Sequence, residues 1–394
     1  MNAGCAPQGV LRCRGRTRAG IKFGCGRAGM VLPSRPPPSR AAARKGLPVH
    51  LNRSSMGVQM SQRVLVTGGA GYVGSVCSEE LLRQGYEVTI LDDLSTGHRH
   101  AVPEGAEFFE MDIGDAAGIR KVLATKTYDA VFHFAAKALI PESVTNPALF
   151  YQVNVVAAAT LIDAVRDAAI KRFVFSSTAA VYGDPIEVPI PEDHPKVPMN
   201  SYGETKLAYE RLLAWYAKAY GISVCAFRYF NASGATLAHG EEHEPETHIL
   251  PILIEAAVGE REFFTIYGCD YPTPDGSCVR DYVHVLDIAQ AHILALSKMD
   301  ALGFSVYNIG LGKSFSVREV HTRVEKVIGR KIPIREGSRR AGDPAVLCAS
   351  PKRLMSELGW RPQNSDLDHI IETAWTWKMR GHVGALPAEA ARKS

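Results

Sequence analysis

Apolar and polar residues recur along the chain with two periods, and the switching between them sets out the elements. Arg63-Val64-Leu65-Val66-Thr67 is a short β-branched run that stops at glycines, which reads as a buried strand. Comparable runs fall at 88–92, 108–112, 130–134, 172–176 and 223–228. Between them, residues 75–84, 117–125, 149–168 and 202–220 space their apolar positions as one face of a helix does. Strands alternating with helices predict an α/β fold, a doubly wound parallel sheet covered by helices on both faces. Beyond about residue 232 the pattern becomes irregular, with loops rich in Pro, Gly and charge. That predicts a smaller α/β carboxyl-terminal lobe over the carboxyl edge of the sheet. The expected division is 61–235 for the sheet domain and 236–394 mainly for the second lobe, with segments returning to the first.

Residues 1–60 fit neither period. They carry 11 Arg or Lys and no acid, leaving the remainder with 34 basic and 41 acidic residues, a net of −7. A segment so rich in Arg, Pro, Gly and Ala cannot bury enough apolar surface to offset its ordering entropy, so a disordered basic extension is expected. Three readings stay open: translation starting at Met56 or Met60, an organellar transit peptide, or a basic nucleic-acid arm. The acidic body does not suit a phosphate-backbone binder, and no nucleic-acid partner is expected. No uninterrupted apolar run reaches the roughly 18–20 residues of a membrane span, so no membrane partner is expected either. The eight cysteines are scattered, without CxxC or zinc-type spacing, which fits a reducing compartment. The expected location is the cytoplasm, or an organelle if residues 1–60 are a transit peptide.

Candidate chemistry begins where the first strand ends. Gly68-Gly69-Ala70-Gly71-Tyr72-Val73-Gly74 joins that strand to the first helix, and Asp92 closes the second strand 18 residues after Gly74. Glycines there permit a tight turn and let backbone N–H groups reach a pyrophosphate at the helix N-terminus. An acid at Asp92 accepts ribose hydroxyls and repels a 2′-phosphate, favouring NAD over NADP in a Rossmann domain. Asp112 and Ile113 at the third strand's end fall near the adenine. Phe134 and Ala135 end the fourth strand, and Asn154, inside the next helix, can bond backbone near the site.

Tyr202 and Lys206 lie four residues apart on one helix face. A phenol ionises near pH 10, and a neighbouring ammonium brings it towards working range as a general base. Upstream, strand 172–176 runs into Ser176-Ser177-Thr178, whose last hydroxyl can bond a reacting oxygen beside Tyr202.

With these features in place, the chain resembles the extended short-chain dehydrogenase/reductase family, and within it the nucleotide-sugar 4-epimerases. The matching blocks are TGGAGYVG (67–74), LDDLSTG (91–97), FAAKALIPES (134–143), FSSTAAVYG (175–183), SYGETK (201–206), RYFNASGA (228–235), YGCDYPTPDGSCVRDYVHV (267–285) and RRAGDP (339–344). The resemblance implies interconversion of UDP-glucose and UDP-galactose through a transient 4-keto sugar, with tightly held NAD, by a homodimer joined through helices 149–168 and 202–220. It implies Thr178, Tyr202 and Lys206 as catalytic residues, and Asp93, Tyr229 and Phe230 as cofactor neighbours. It assigns Thr178, Asn231, His248, Tyr267, Arg280, Arg340, Asp343 and Leu347 to the UDP-sugar. Chemistry agrees: Arg280 and Arg340 suit a diphosphate, Tyr267 a uracil, and Asp343 ribose hydroxyls.

The pattern departs at three places. Lys137 stands one position before the usual site of a cofactor-contacting Lys, now Ala138. Thr247-His248 replaces an Asn pair. Leu347, at the position that sets room for an N-acetyl group, leaves N-acetylhexosamines open. The alternatives are a 4-epimerase for another UDP-sugar (N-acetylglucosamine, glucuronate or pentose), or a non-catalytic NAD-binding regulator. A 4,6-dehydratase fits less well, because Thr178 is followed by Ala179-Ala180 and not Asp-Glu. His239-Gly240-Glu241-Glu242-His243 matches the H-x-x-E-H pattern of zinc proteases, but Gly240 and Pro245 predict a solvated loop and not the helix such a site needs. No metal is expected.

Overall fold

The computed structural model describes residues 61–380 apart from Leu302 and Ala341. The basic extension expected over 1–60 lies outside the described residues. Among the described residues, seven strands form one parallel sheet. In chain order they are β1 (Arg63–Thr67), β2 (Glu87–Asp92), β3 (Glu107–Glu110), β4 (Ala130–His133), β5 (Arg172–Thr178), β6 (Ser223–Tyr229) and β7 (Phe304–Ile309). Their order across the sheet is β7-β6-β5-β4-β1-β2-β3. The order reverses between β1 and β4, the crevice where such sheets bind ligands.

β1 shows why the sheet must lie inside. Val64 and Val66 pack into one cluster with Val88, Ile90 and Phe132, while Leu65 points to the other with Leu161, Ile162 and Phe173. Alternate side chains thus serve opposite faces, and both faces are dry. The helices α1 (Tyr72–Arg83), α2 (Ala116–Thr125), α3 (Ala158–Asp167) and α4 (Ser201–Tyr220) follow strands as the pattern predicted. Local chemistry fixes their ends. The Asp115 carboxylate accepts the N–H groups of Ala117 and Gly118 at the start of α2, and Asn200 accepts that of Gly203 at the start of α4.

One expected helix differs. The stretch predicted over 149–168 is built as Pro147–Tyr151, a wider π-helical turn over Gln152–Ala157, then α3. The extra residue in the turn re-aims Asn154, which is buried and spans Lys137 and Thr205. Pro147–Asp167 is also long and apolar enough to cross a membrane by composition. In this fold it covers the sheet, with Phe150, Leu161, Ile162 and Val165 fully buried.

The second lobe carries α5 (Ile249–Val258), α7 (Val317–Ile328) and α8 (Leu367–Arg380). They share a core of Leu250, Leu253, Val320, Val324, Ile370 and Ile371. Helix α6 (Val285–Leu296) instead packs beside α1 under the sheet. Short strand pairs link distant segments: 264–267 runs beside 334–337, and 279–280 lies between 315–316 and 346–347. The last pairing sets Leu347 opposite Arg280.

Candidate active site

A cleft of about 1260 Å³ runs across the carboxyl ends of β1, β4 and β5 and continues under the second lobe. It is lined by every residue expected to touch cofactor or substrate except Asn154. Its size exceeds that of most single-ligand pockets, as two nucleotides require.

At the sheet end, close backbone approach dictates glycine. Gly68 has φ +73°, and a Cβ there would meet the Ala135 nitrogen at 2.4 Å; one on Gly74 would meet the Gly68 carbonyl oxygen at 2.0 Å. Gly71 precedes α1 with no side-chain cap, so the first-turn N–H groups are left for an anion. Asp92 accepts N–H bonds from Ala70 and Leu94, each 2.9 Å. Burial pushes its carboxyl up, against those two bonds. Each oxygen keeps a lone pair for a ribose hydroxyl. Asp93 and Asp112 use one oxygen apiece on Ser95 and Gly114 N–H groups. This glycine cradle and its acid fit a dinucleotide.

Asn154 stands apart. Its oxygen accepts the Lys137 N–H and its amide donates to the Lys137 carbonyl and the Thr205 hydroxyl. These bonds tie the segment after β4 to α4, and two of them go to the Lys137 backbone, as expected of Asn154 from the sequence. Lys137 itself reaches the cleft, its ammonium 3.2 Å from the Ser95 hydroxyl.

In the middle lie the expected catalytic residues. β5 delivers Thr178, and α4 delivers Tyr202 and Lys206 one turn apart. Burial pushes the Tyr202 phenol up, and its hydrogen bond with Thr178 pulls it back. Lys206 donates to the Ser176 carbonyl at 2.9 Å. Burial drives it down to about 7, opposed by Glu210. Burial thus outweighs the lowering expected from Lys206, whose own charge burial disfavours.

Several participants carried no signal in the sequence. Ser176 contributes a backbone carbonyl. Glu210 and Arg228 form an ion pair with side chains only 4% exposed, and Glu210 also accepts the Ser177 hydroxyl at 2.5 Å. That pair ties α4 to the strands beneath Thr178 and Lys206. Tyr229 bonds His292 at 2.7 Å, and His292 Nδ1 lies 2.9 Å from the Ile288 carbonyl. The carbonyl requires Nδ1–H, so Nε2 accepts the phenol proton.

Under the second lobe, charged side chains face each other. Arg280 pairs with Asp343 and also donates to the Val279 carbonyl at 2.8 Å. The Arg340 guanidinium sits 4.0 Å over the Tyr267 ring, which is 40% exposed. Leu347 packs on a cluster holding Val181, Tyr182 and Leu207, beside Phe230. Asn231 is fixed by its N–H to the Asp281 carbonyl at 2.9 Å.

The loop expected to be solvated is only partly so. It is not helical, as Gly240 and Pro245 predicted. Yet His239 is 5% exposed, and the Glu241 and Glu246 side chains are 9% and 6% exposed. The chain folds Glu241, His243 and His248 together and leaves His239 against Glu79. The path of the loop, and not helical spacing, brings His248 rather than His239 to Glu241.

A dinucleotide cradle beside a Thr/Tyr/Lys set defines a pyridine-nucleotide enzyme of the short-chain dehydrogenase type. The chain belongs to the NAD dependent epimerase/dehydratase family, whose model matches residues 64–310. It is 48% identical over 317 residues to a UDP-glucose 4-epimerase of Lacticaseibacillus casei, covering 80% of this chain and 96% of that one. The structure of the UDP-glucose 4-epimerase from Brucella ovis in complex with NAD aligns with TM-score 0.77 and 44% identity, over 80% and 98% of the two chains. The UDP-Glc/GlcNAc 4-epimerase from Campylobacter jejuni aligns with TM-score 0.72 and 36% identity, over 81% and 100%.

Proposed function

We propose that the protein is a UDP-glucose 4-epimerase that interconverts UDP-glucose and UDP-galactose with tightly held NAD. The observation that carries this reading is the single cleft in which the glycine cradle, Tyr202 and the Arg280–Asp343 pair follow one another.

Bound NAD supplies reversible hydride acceptance, which makes inversion at a sugar carbon redox-neutral. The residues of the chain do the rest. Tyr202 takes the proton of the 4-hydroxyl, and Thr178 hydrogen-bonds the same oxygen. Lys206 supplies the positive charge that a phenolate needs. Arg280 and Arg340 grip the diphosphate, so the 4-keto sugar turns in the pocket without leaving. Tyr202 then returns the proton to the ketone oxygen when its other face is reduced. Tyr267 stacks on the uracil once Arg340 moves from its ring to the phosphates, and Asp343 takes the uridine ribose.

Exposed Tyr151, Val156, Trp215 and Tyr220 on the 147–167 and 201–220 helices supply an apolar face for a second copy, and we infer a homodimer. The five described cysteines are free thiols, which supports a reducing compartment such as the cytoplasm. The direct test is turnover of UDP-galactose to UDP-glucose by the purified chain with its own retained NAD. Activity confined to UDP-glucuronate or UDP-xylose would overturn the substrate assignment.

A further inference from the structure

We propose that the loop before α5 holds a divalent cation of the zinc class on Glu241, His243 and His248, at the wall of the cleft. The three side chains offer ligand atoms that all lie within 4.8 Å of one another. His243 Nδ1 contacts one Glu241 oxygen, and His248 Nδ1 lies 3.6 Å from the other. Ligands about 2.0–2.2 Å from a tetrahedral zinc are separated by roughly 3.3–3.5 Å, so small rotations bring this set to bonding geometry. Two imidazoles and a carboxylate form a donor set suited to zinc.

Charge points the same way. Glu241 and Glu246 are shielded carboxylates in one loop, 9% and 6% exposed. Among the described residues, their only ion-pair partners are His243 and His248. Zinc takes imidazole in its neutral form, which would leave two negative charges for a divalent ion to cancel. Glu246 accepts the N–H groups of Thr247 and His248, each at 2.6 Å, and lies 2.8 Å from His248 Nδ1. Its two backbone bonds hold the His248 segment in place, and His248 Nδ1 exchanges its contact with Glu246 for the cation. On the opposite side of the loop, His98 and His100 reach Glu242 at 3.0 and 2.7 Å, which limits its freedom to collapse. Glu241, His243 and His248 line the same cleft as Gly71, Tyr72 and Asn231. The fourth position therefore faces that cleft and takes an oxygen ligand, water or a phosphate. The cation pins the loop as part of the cleft wall.

The test uses the full chain, freed of metal with a chelator and titrated with Zn²⁺ against a chromophoric competitor and, separately, with Co²⁺. The expected result is about one equivalent taken up by this cluster, a visible Co²⁺ band of tetrahedral intensity, and a rise in Tm of a few degrees with Zn²⁺. Glu241→Gln with His243→Ala should remove that equivalent and the band, whereas His100→Ala, which alters the neighbouring exposed histidine pair, should keep both. Retained NAD in the variants reports that they fold; if the double variant does not, His243→Gln alone should weaken uptake at least ~10-fold, as loss of one ligand does. Uptake and spectrum unchanged by these substitutions, or no uptake beyond that of the variant, would overturn the site and leave His248 as an imidazolium held by two carboxylates.

Discussion

The two ends of the cleft are built on different principles. At the sheet end, backbone meets backbone: Gly68 passes the chain after β4, and Gly74 passes Gly68, with no space for a Cβ at either place. Under the second lobe, side chains meet side chains: Arg280 pairs with Asp343, and Arg340 lies on Tyr267. The first arrangement is complete before any ligand arrives. The second rests on side chains that can change partners, the Arg280 guanidinium on Asp343 and the Arg340 guanidinium stacked on the Tyr267 ring. A retained cofactor belongs with the preformed end, and a substrate that must turn and leave belongs with the adjustable one.

That contrast can be broken most severely at Gly74. Gly74→Val should abolish retained NAD, read by absorbance of the denatured protein's supernatant, because the added side chain collides with the Gly68 carbonyl. A variant that keeps its NAD would show that the cradle yields. Next comes the chemistry between the ends. Tyr202→Phe should keep NAD yet lose at least ~10²-fold in kcat, as removal of a general acid–base does; near-normal turnover would end the proposed mechanism. Arg280→Met should leave both NAD content and folding intact and raise KM roughly 10- to 100-fold, the worth of one or two charged hydrogen bonds. Equal losses in NAD content and substrate affinity would erase the distinction between the two ends.

Smaller effects sharpen it. His133, His284 and His292 are buried, and burial drives them down to about 3, 4 and 4. The unfolded chain takes protons on these rings below about pH 6.5, whereas the folded chain resists until far lower. Stability should therefore fall as pH drops from about 6.5 towards 4, on the order of 1 kcal/mol per histidine per pH unit. Tm measured by circular dichroism at pH 7 and 5 checks this, and a flat profile would mean that water reaches the rings. Last, Leu347→Tyr should cut turnover of UDP-N-acetylglucosamine about 10-fold relative to UDP-glucose, because the added bulk narrows the pocket beside Phe230. Parallel rates on the two substrates decide it.

Much of the sheet end was legible from residues alone. A strand, a glycine turn and a helix form a local sequence signal, and Asp92 closes the next strand at a fixed remove. This holds even though the backbone that forbids a side chain on Gly68 is that of Ala135. Tyr202 and Lys206 were equally legible, since one helical turn puts them on one face. The residues that tune them were not. Glu210 needed the pairing of β5 with β6 to meet Arg228 and Ser177. His292 needed α6 packed beneath the sheet. Asn154 was legible as a residue that bonds backbone, but the π-helical turn that carries it was announced by no periodicity.

The sequence by itself determined which backbone conformations and which reactive groups the chain carries: glycines where no side chain fits, a phenol and an ammonium one turn apart, two guanidiniums in marked blocks. Only the tertiary structure decided their company. It put Asp343 on Arg280 across 63 residues and Arg340 on Tyr267, and it brought His248 rather than His239 to Glu241. The physical reason is range. Steric rules act between near neighbours in the chain, whereas burial and charge pairing act between neighbours in space, which exist only once the core has closed.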